Sequence, residues 1–146
     1  METSQQFIEF LKSCITPVAL ISGVGLLLLT VTNRLGRSID RTRHLINELD
    51  NPNVARKANK QDEIQILYKR SRYLRNSIGA IIISIIASSL IIPMLFLMYL
   101  YALDLRAVGY FLFVVAMLSI LVSCIFFFKD ITLSLEALRI EAEDHL

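Results

Sequence analysis

The chain has 146 residues, a net charge of +2 and a hydrophobic fraction of 55%, with a mean hydropathy of +0.58. Soluble domains carry about 45–50% apolar residues, so the composition argues against an ordinary water-soluble fold, and the length allows one domain. Cys14 and Cys124 stand far apart and form no disulfide framework.

Residues Thr3 to Cys14 place Phe7, Ile8, Leu11 and Cys14 at helical spacing behind a Thr3–Gln6 pair with capping-box geometry. A short helix in the outer interface is expected there, ending at Thr16 and Pro17 with a fresh start or a kink. No basic leader or small-residue cleavage site precedes the first apolar run, so a removable signal peptide is not expected.

Three runs carry no charged side chain: Ile15 to Val31, Ile78 to Leu103 and Val108 to Phe128. A helix needs roughly 17–25 residues to cross hydrocarbon. Unbroken apolar runs without alternation exclude a barrel strand, so each is a transmembrane helix. The predicted spans are residues 15–32, 77–103 and 107–128. Tyr99, Tyr101 and Tyr110 flank the short second connection, at headgroup level, and Tyr73 takes the same level on the other side.

Between Asn33 and Arg75 stand eleven of the fifteen basic residues against five carboxylates, a net +6. The connection from Asp104 to Arg106 offers one positive charge. Basic excess is retained on the cytoplasmic side, so the N-terminus is expected outside and the C-terminus inside. Few aromatics and no recognised motif argue against nucleic acid as the partner of this stretch. Anionic headgroups are the expected contact.

Past the first span, Leu35, Ile39, Thr42, Ile46 and Leu49 follow a heptad spacing. A turn is expected at Asp50, Asn51, Pro52 and Asn53. Ile64, Leu67, Ser71, Leu74 and Ile78 return the pattern, and Ile131, Leu135, Leu138 and Ala142 repeat it after the third span. The predicted fold is an all-α membrane protein whose three transmembrane helices extend into a cytoplasmic bundle. That bundle consists of an antiparallel hairpin, residues 33–76, and a C-terminal helix, residues 129–146.

Inside the spans the polar groups are hydroxyls, with no carboxylate, histidine or lysine, which argues against proton-coupled or redox chemistry at depth. Ala19 and Gly23, with Gly25, Ser84 and Ser88, have the size for close helix packing, the other reading being a pore lining. Pro93 frees a carbonyl that Ser88 or Ser89 is placed to satisfy. No nucleophile–base pair is present, and His44 and His145 lack metal-ligand spacing. Catalytic residues, cofactors and metal sites are therefore all expected to be absent.

The densest chemistry is at the inner end of the first span: Asn33, Arg34, Arg37, Asp40, Arg41 and Arg43. Arg34, Arg37 and Arg41 form one basic edge, with Asp40 within reach of Arg37 and Arg41. Three readings stay open: lipid-phosphate anchoring, a ring of arginines lining a vestibule in an oligomer, and a docking surface for another protein.

The runs Thr16-Pro17-Val18, Gly23-Val24-Gly25, Thr32-Asn33-Arg34-Leu35-Gly36-Arg37 and Asp40-Arg41-Thr42-Arg43 resemble the signature of a bacterial membrane-protein family catalogued as domain of unknown function 2721. The similarity extends through Tyr68-Lys69-Arg70-Ser71-Arg72-Tyr73-Leu74 and from Phe128-Lys129-Asp130-Ile131 to Leu138-Arg139. The resemblance implies three spans in a bacterial inner membrane and brings no known activity. The chain is accordingly expected to be a homo-oligomeric assembly able to conduct ions past the arginine edge. The alternative is a non-conducting accessory or scaffold subunit that docks a partner through its cytoplasmic bundle.

Overall fold

Uncharged runs rich in leucine, isoleucine and phenylalanine satisfy their backbone groups internally as helix wherever water is absent. In a computed structural model they continue well past the apolar stretches: α1 spans Glu2–Leu49, α2 Lys57–Tyr101 and α3 Arg106–Glu143. The structure describes residues 2–49, 57–101 and 104–143, and among these there are three helices and no strand. All three are long and apolar enough to cross a membrane, as befits a multi-pass membrane protein. The turn expected at Asp50, Asn51, Pro52 and Asn53 falls outside the described residues, as do Leu103, His145 and the side chains of Thr3, Gln6, Leu49, Leu138 and Ala142.

The fresh helix start expected at Pro17 does not occur. α1 runs through it, so the stretch Thr3 to Cys14 is the first part of the same helix. Pro17 is buried within α1 and lacks the backbone donor that an interior helix position otherwise supplies. α3 begins after Asp104, whose carboxylate accepts the Arg106 N–H at 3.4 Å and so occupies one of the donors left open at a helix start.

The chain divides into two compact units, each drawing on all three helices: Met1–Leu28 with Gly79–Val122, and Leu29–Ile78 with Ser123–Leu146. In the first, Val24, Ala80, Ile81, Ala87, Met94 and Ala116 are buried together with Ser84 and Ser88. Phe10 stacks on Tyr99 at 5.3 Å between ring centres and tilts against Phe96 at 6.2 Å. Gly109 permits close approach of α2, since a Cβ there would meet Met94 Cε at 2.7 Å.

In the second unit the buried positions recur every seven residues: Val31, Ser38 and Leu45 on α1, Leu67 and Leu74 on α2, Ser123 and Asp130 on α3. Ser77 Oγ donates to the Ser123 carbonyl at 3.0 Å and shares a 2.7 Å hydroxyl contact with Ser123 Oγ. Ser38 and Ser71 make a like contact at 3.1 Å between α1 and α2. Partners advance along α3 as they retreat along α2, through Ser77–Ser123, Tyr73–Phe126 and Arg70–Asp130, so these two helices are antiparallel here.

The heptad period is present, but on two helices its phase is not the predicted one. α2 buries Leu67 and Leu74 as expected. On α1, Ile39 and Ile46 are exposed while Leu45 is buried, and on α3 Leu135 is 64% exposed while Asp130 is 0%. Helices that contact one another in lipid turn small and hydrogen-bonding residues inward, because apolar side chains lose nothing by facing hydrocarbon. A continuous α-helix carries that phase onward past the apolar run. Leu45 is 2% and its neighbour Ile46 46% exposed, so alanine at Leu45 is expected to lower stability by about 2–5 kcal/mol. Alanine at Ile46 should stay within about 1 kcal/mol. Thermal unfolding followed by circular dichroism in mild detergent separates the two, and the opposite order would restore the predicted phase.

Candidate anion site

Arg34 on α1, Arg70 on α2 and Asp130 on α3 meet in the second unit. Arg70 Nε donates to Asp130 Oδ1 at 3.2 Å, and Arg34 Nη2 stands 3.2 Å from Oδ2. The arginine side chains keep 26% and 18% of their exposure while the carboxylate has none. Oδ2 accepts no aligned hydrogen bond, so its tie to Arg34 is ionic contact alone. A carboxylate withdrawn this far from water is sustained by the two cations that face it.

Aromatic rings border the same level. The Arg34 guanidinium sits 5.2 Å from the centre of Phe127, and Lys129 Nζ is 5.9 Å from Tyr73 and 6.0 Å from Phe126. Tyr73 and Phe126 stack at 6.4 Å. Arg34 is thus held by a ring face as well as by carboxylate, and Lys129 by ring faces.

Beside the triad is a cavity of about 250 Å³ lined by Arg34, Arg37, Ser38, Arg41, Leu67 and Arg70. Arg41 is held from α2 by Glu63: its Nη2 and Nε donate to Oε1 at 2.9 and 3.1 Å. Arg37 is exposed and makes no ion pair or hydrogen bond among the described residues. Among the described residues, four guanidinium groups around this cavity face two carboxylates, Asp130 and Glu63, an excess of two positive charges. Such a cavity favours an anion with several acceptor oxygens, since guanidinium forks match carboxylate and phosphate geometry.

Of the residues singled out from the sequence, Arg34, Arg37 and Arg41 line this cavity, while Asn33, Asp40 and Arg43 are exposed away from it. Asp40 was the carboxylate expected to temper the arginines. The structure gives that part to Asp130 and Glu63 instead, because the inward phase of α1 aims Arg34 at α3 and Arg41 at α2. Asp130, Arg70 and Glu63 are not marked out as site residues by the sequence, because none is close in it to the arginine edge. The available signal was that Asp130 follows Ser123 by seven residues, on the contact line of α3.

Ser84 and Ser88 are buried in the first unit with no partner for either hydroxyl, so Ser88 does not take up the carbonyl freed by Pro93. Ala19 and Gly23 are exposed, and Gly23 and Gly25 have open space where a Cβ would stand. Among the described residues no three His, Cys, Asp or Glu side chains gather to hold a metal ion.

Asp130→Ala strands two partly buried guanidinium groups and is expected to cost about 3–5 kcal/mol of stability. A combined Arg34→Met, Arg70→Met, Asp130→Leu variant should recover most of that loss, because it removes the charges together. Melting in detergent tests both. Equal destabilisation by the single and triple variants would show that the triad's charge balance is not what holds the three helices.

No curated protein and no solved structure matches the chain. A family profile described as protein of unknown function, DUF2721, matches residues 14–140, which takes in every residue of the cavity and Asp130. With that match covering most of its length, the chain belongs to the DUF2721 family.

Proposed function

We propose that the protein is a small, non-catalytic component of the bacterial inner membrane that binds anions at the Arg34–Arg37–Arg41–Arg70 cavity and works as a homo-oligomer. The single observation that carries the reading is that cavity: four guanidinium groups from two helices, with Arg37 making no ion pair among the described residues. The basic stretch carrying it is taken to be cytoplasmic, with the N-terminus outside, because its net +6 resists export.

Self-association is supported by surfaces one copy leaves uncovered. Ala19 and Gly23 offer small-residue packing on α1, and Ile39, Ile46 and Leu135 are exposed on the arginine-bearing unit. Conduction would require copies to bring their cavities around a shared axis, as three helices alone are too few to enclose a pore. The same exposed isoleucines favour a second reading, in which a different protein docks on that unit and no ion passes.

Mass measurement in mild detergent distinguishes the readings: the first expects a discrete multiple of 16.6 kDa, and a lone monomer would rule it out. Arg37→Ala spares the Asp130 triad and is expected to weaken phosphate binding roughly tenfold, the worth of one charge-assisted contact, with unchanged melting. In reconstituted bilayers, Arg37→Ala and Arg41→Ala should lower anion preference. Currents identical in selectivity to the parent protein would dispose of the arginine vestibule.

A further inference from the structure

The first unit holds a second and larger cavity, about 500 Å³, in which apolar side chains from all three helices form the walls: Leu20 on α1, Ile91, Met94 and Met98 on α2, Phe113 on α3. Its size is that of an ordinary small-molecule site. Its lining is nearly all carbon, apart from one charged group: Arg106, at the first position of α3. From Arg106 to Phe113 α3 advances about 10 Å at 1.5 Å per residue. The cavity therefore extends through much of one leaflet, the hydrocarbon core being about 30 Å thick.

Water gains nothing by entering such a space, since it finds too few polar partners there. The medium around three membrane-crossing helices is acyl chain, and an acyl chain fits an apolar crevice without cost in polar desolvation. The charge at the rim selects the headgroup. Arg106 is 77% exposed, and among the described residues its carboxylate neighbour, Asp104, is 3.7 Å away and as open to solvent. A pair this exposed and this long is weak, so the guanidinium is free to take a phosphate oxygen in its place. Met94 and Met98 add unbranched, polarisable walls that adapt to a flexible chain.

We propose that this crevice is a binding site for one phospholipid, with an acyl chain between Leu20, Ile91 and Phe113 and the phosphate on Arg106. It belongs to the first unit alone and is independent of what the arginine-lined cavity of the second unit binds. The lipid fills the cavity among α1, α2 and α3 where their own side chains do not meet.

The chain contains no tryptophan, so one introduced at Phe113, which lines the crevice and is 45% exposed, is the sole indole and reads lipid in the crevice above a bulk background. In neutral detergent, phosphatidylglycerol with brominated acyl chains is titrated against Phe113→Trp and against Phe111→Trp, a position on the same helix that is 67% exposed. Site binding predicts quenching of the Phe113→Trp protein that saturates near one lipid per chain, while the Phe111→Trp protein is quenched only in proportion to bulk lipid. Adding Arg106→Ala to Phe113→Trp is expected to raise the half-saturating lipid concentration roughly tenfold. As a second measure, lipid extracted from washed Gly109→Leu protein should fall below that from the parent, the new side chain occupying the cavity beside Met94. Parallel, unsaturated quenching at both tryptophans would overturn the site, and an unchanged half-saturation with Arg106→Ala would overturn its headgroup contact.

Discussion

Hydrocarbon does not reward a helix for hiding leucine or phenylalanine, so the surfaces along which membrane helices meet are chosen by size and hydrogen bonding. That constraint decides the inner face of this protein. Ser77 and Ser123 clasp α2 to α3 through a hydroxyl pair and a backbone carbonyl, and Ala80, Ala87 and Ala116 are buried while Leu26, Ile86, Phe111 and Leu118 are exposed. Small and hydroxyl side chains thus share the interior with Leu45, Leu74 and Ile81 while many large apolar ones face outward. The same constraint also sets the rotation of each helix about its axis, from which the remaining contacts follow.

The Arg34–Asp130–Arg70 triad is the most consequential of them. A carboxylate with no solvent exposure is destabilising unless cations face it, and here one comes from each of the other two helices. The attraction offsets a desolvation cost of several kcal/mol per ion, so its net contribution to stability is smaller than the bare attraction. Any rotation of α3 that brought Leu135 inward would turn Asp130 away from both arginines. The triad thereby locks the phase that the serines prefer and points Arg34 and Arg70 into the wall of the cavity they share with Arg37 and Arg41. Glu63 does for Arg41 what Asp130 does for the other two, but at the surface, where the pair is worth less.

The two cavities differ as their surroundings do. One is walled by guanidinium groups whose charge exceeds that of the carboxylates holding them. The other is walled by carbon and carries a single cation at its rim. Fixed charge in the first case favours a compact anion, and in the second an amphiphile whose ends differ in polarity. Gly109 belongs to the second: its missing Cβ lets Met94 reach α3, and a larger residue there would narrow the space.

Three helices able to cross a membrane, their continuation past the apolar runs, the basic excess between the first two spans and membership of the family were all legible in the order of residues. They depend on run length, charge count and local spacing, which are properties along one dimension. The seven-residue period was legible as well, and on α2 so was its phase. On α1 and α3 the phase was not, because Ile39, Ile46 and Leu135 look like core residues to any rule that reads hydrophobicity alone, while the phase here is continued from the helix contacts within the apolar runs. Likewise Asp40 is the nearest acid in sequence to Arg37 and Arg41, yet Arg41 pairs with Glu63, and Asp130 pairs with Arg34 and Arg70. Which residues face one another depends on the rotation of three helices packed together. Only the packed chain sets that rotation, where the cost of an unpaired carboxylate on one helix is relieved by cations on the other two.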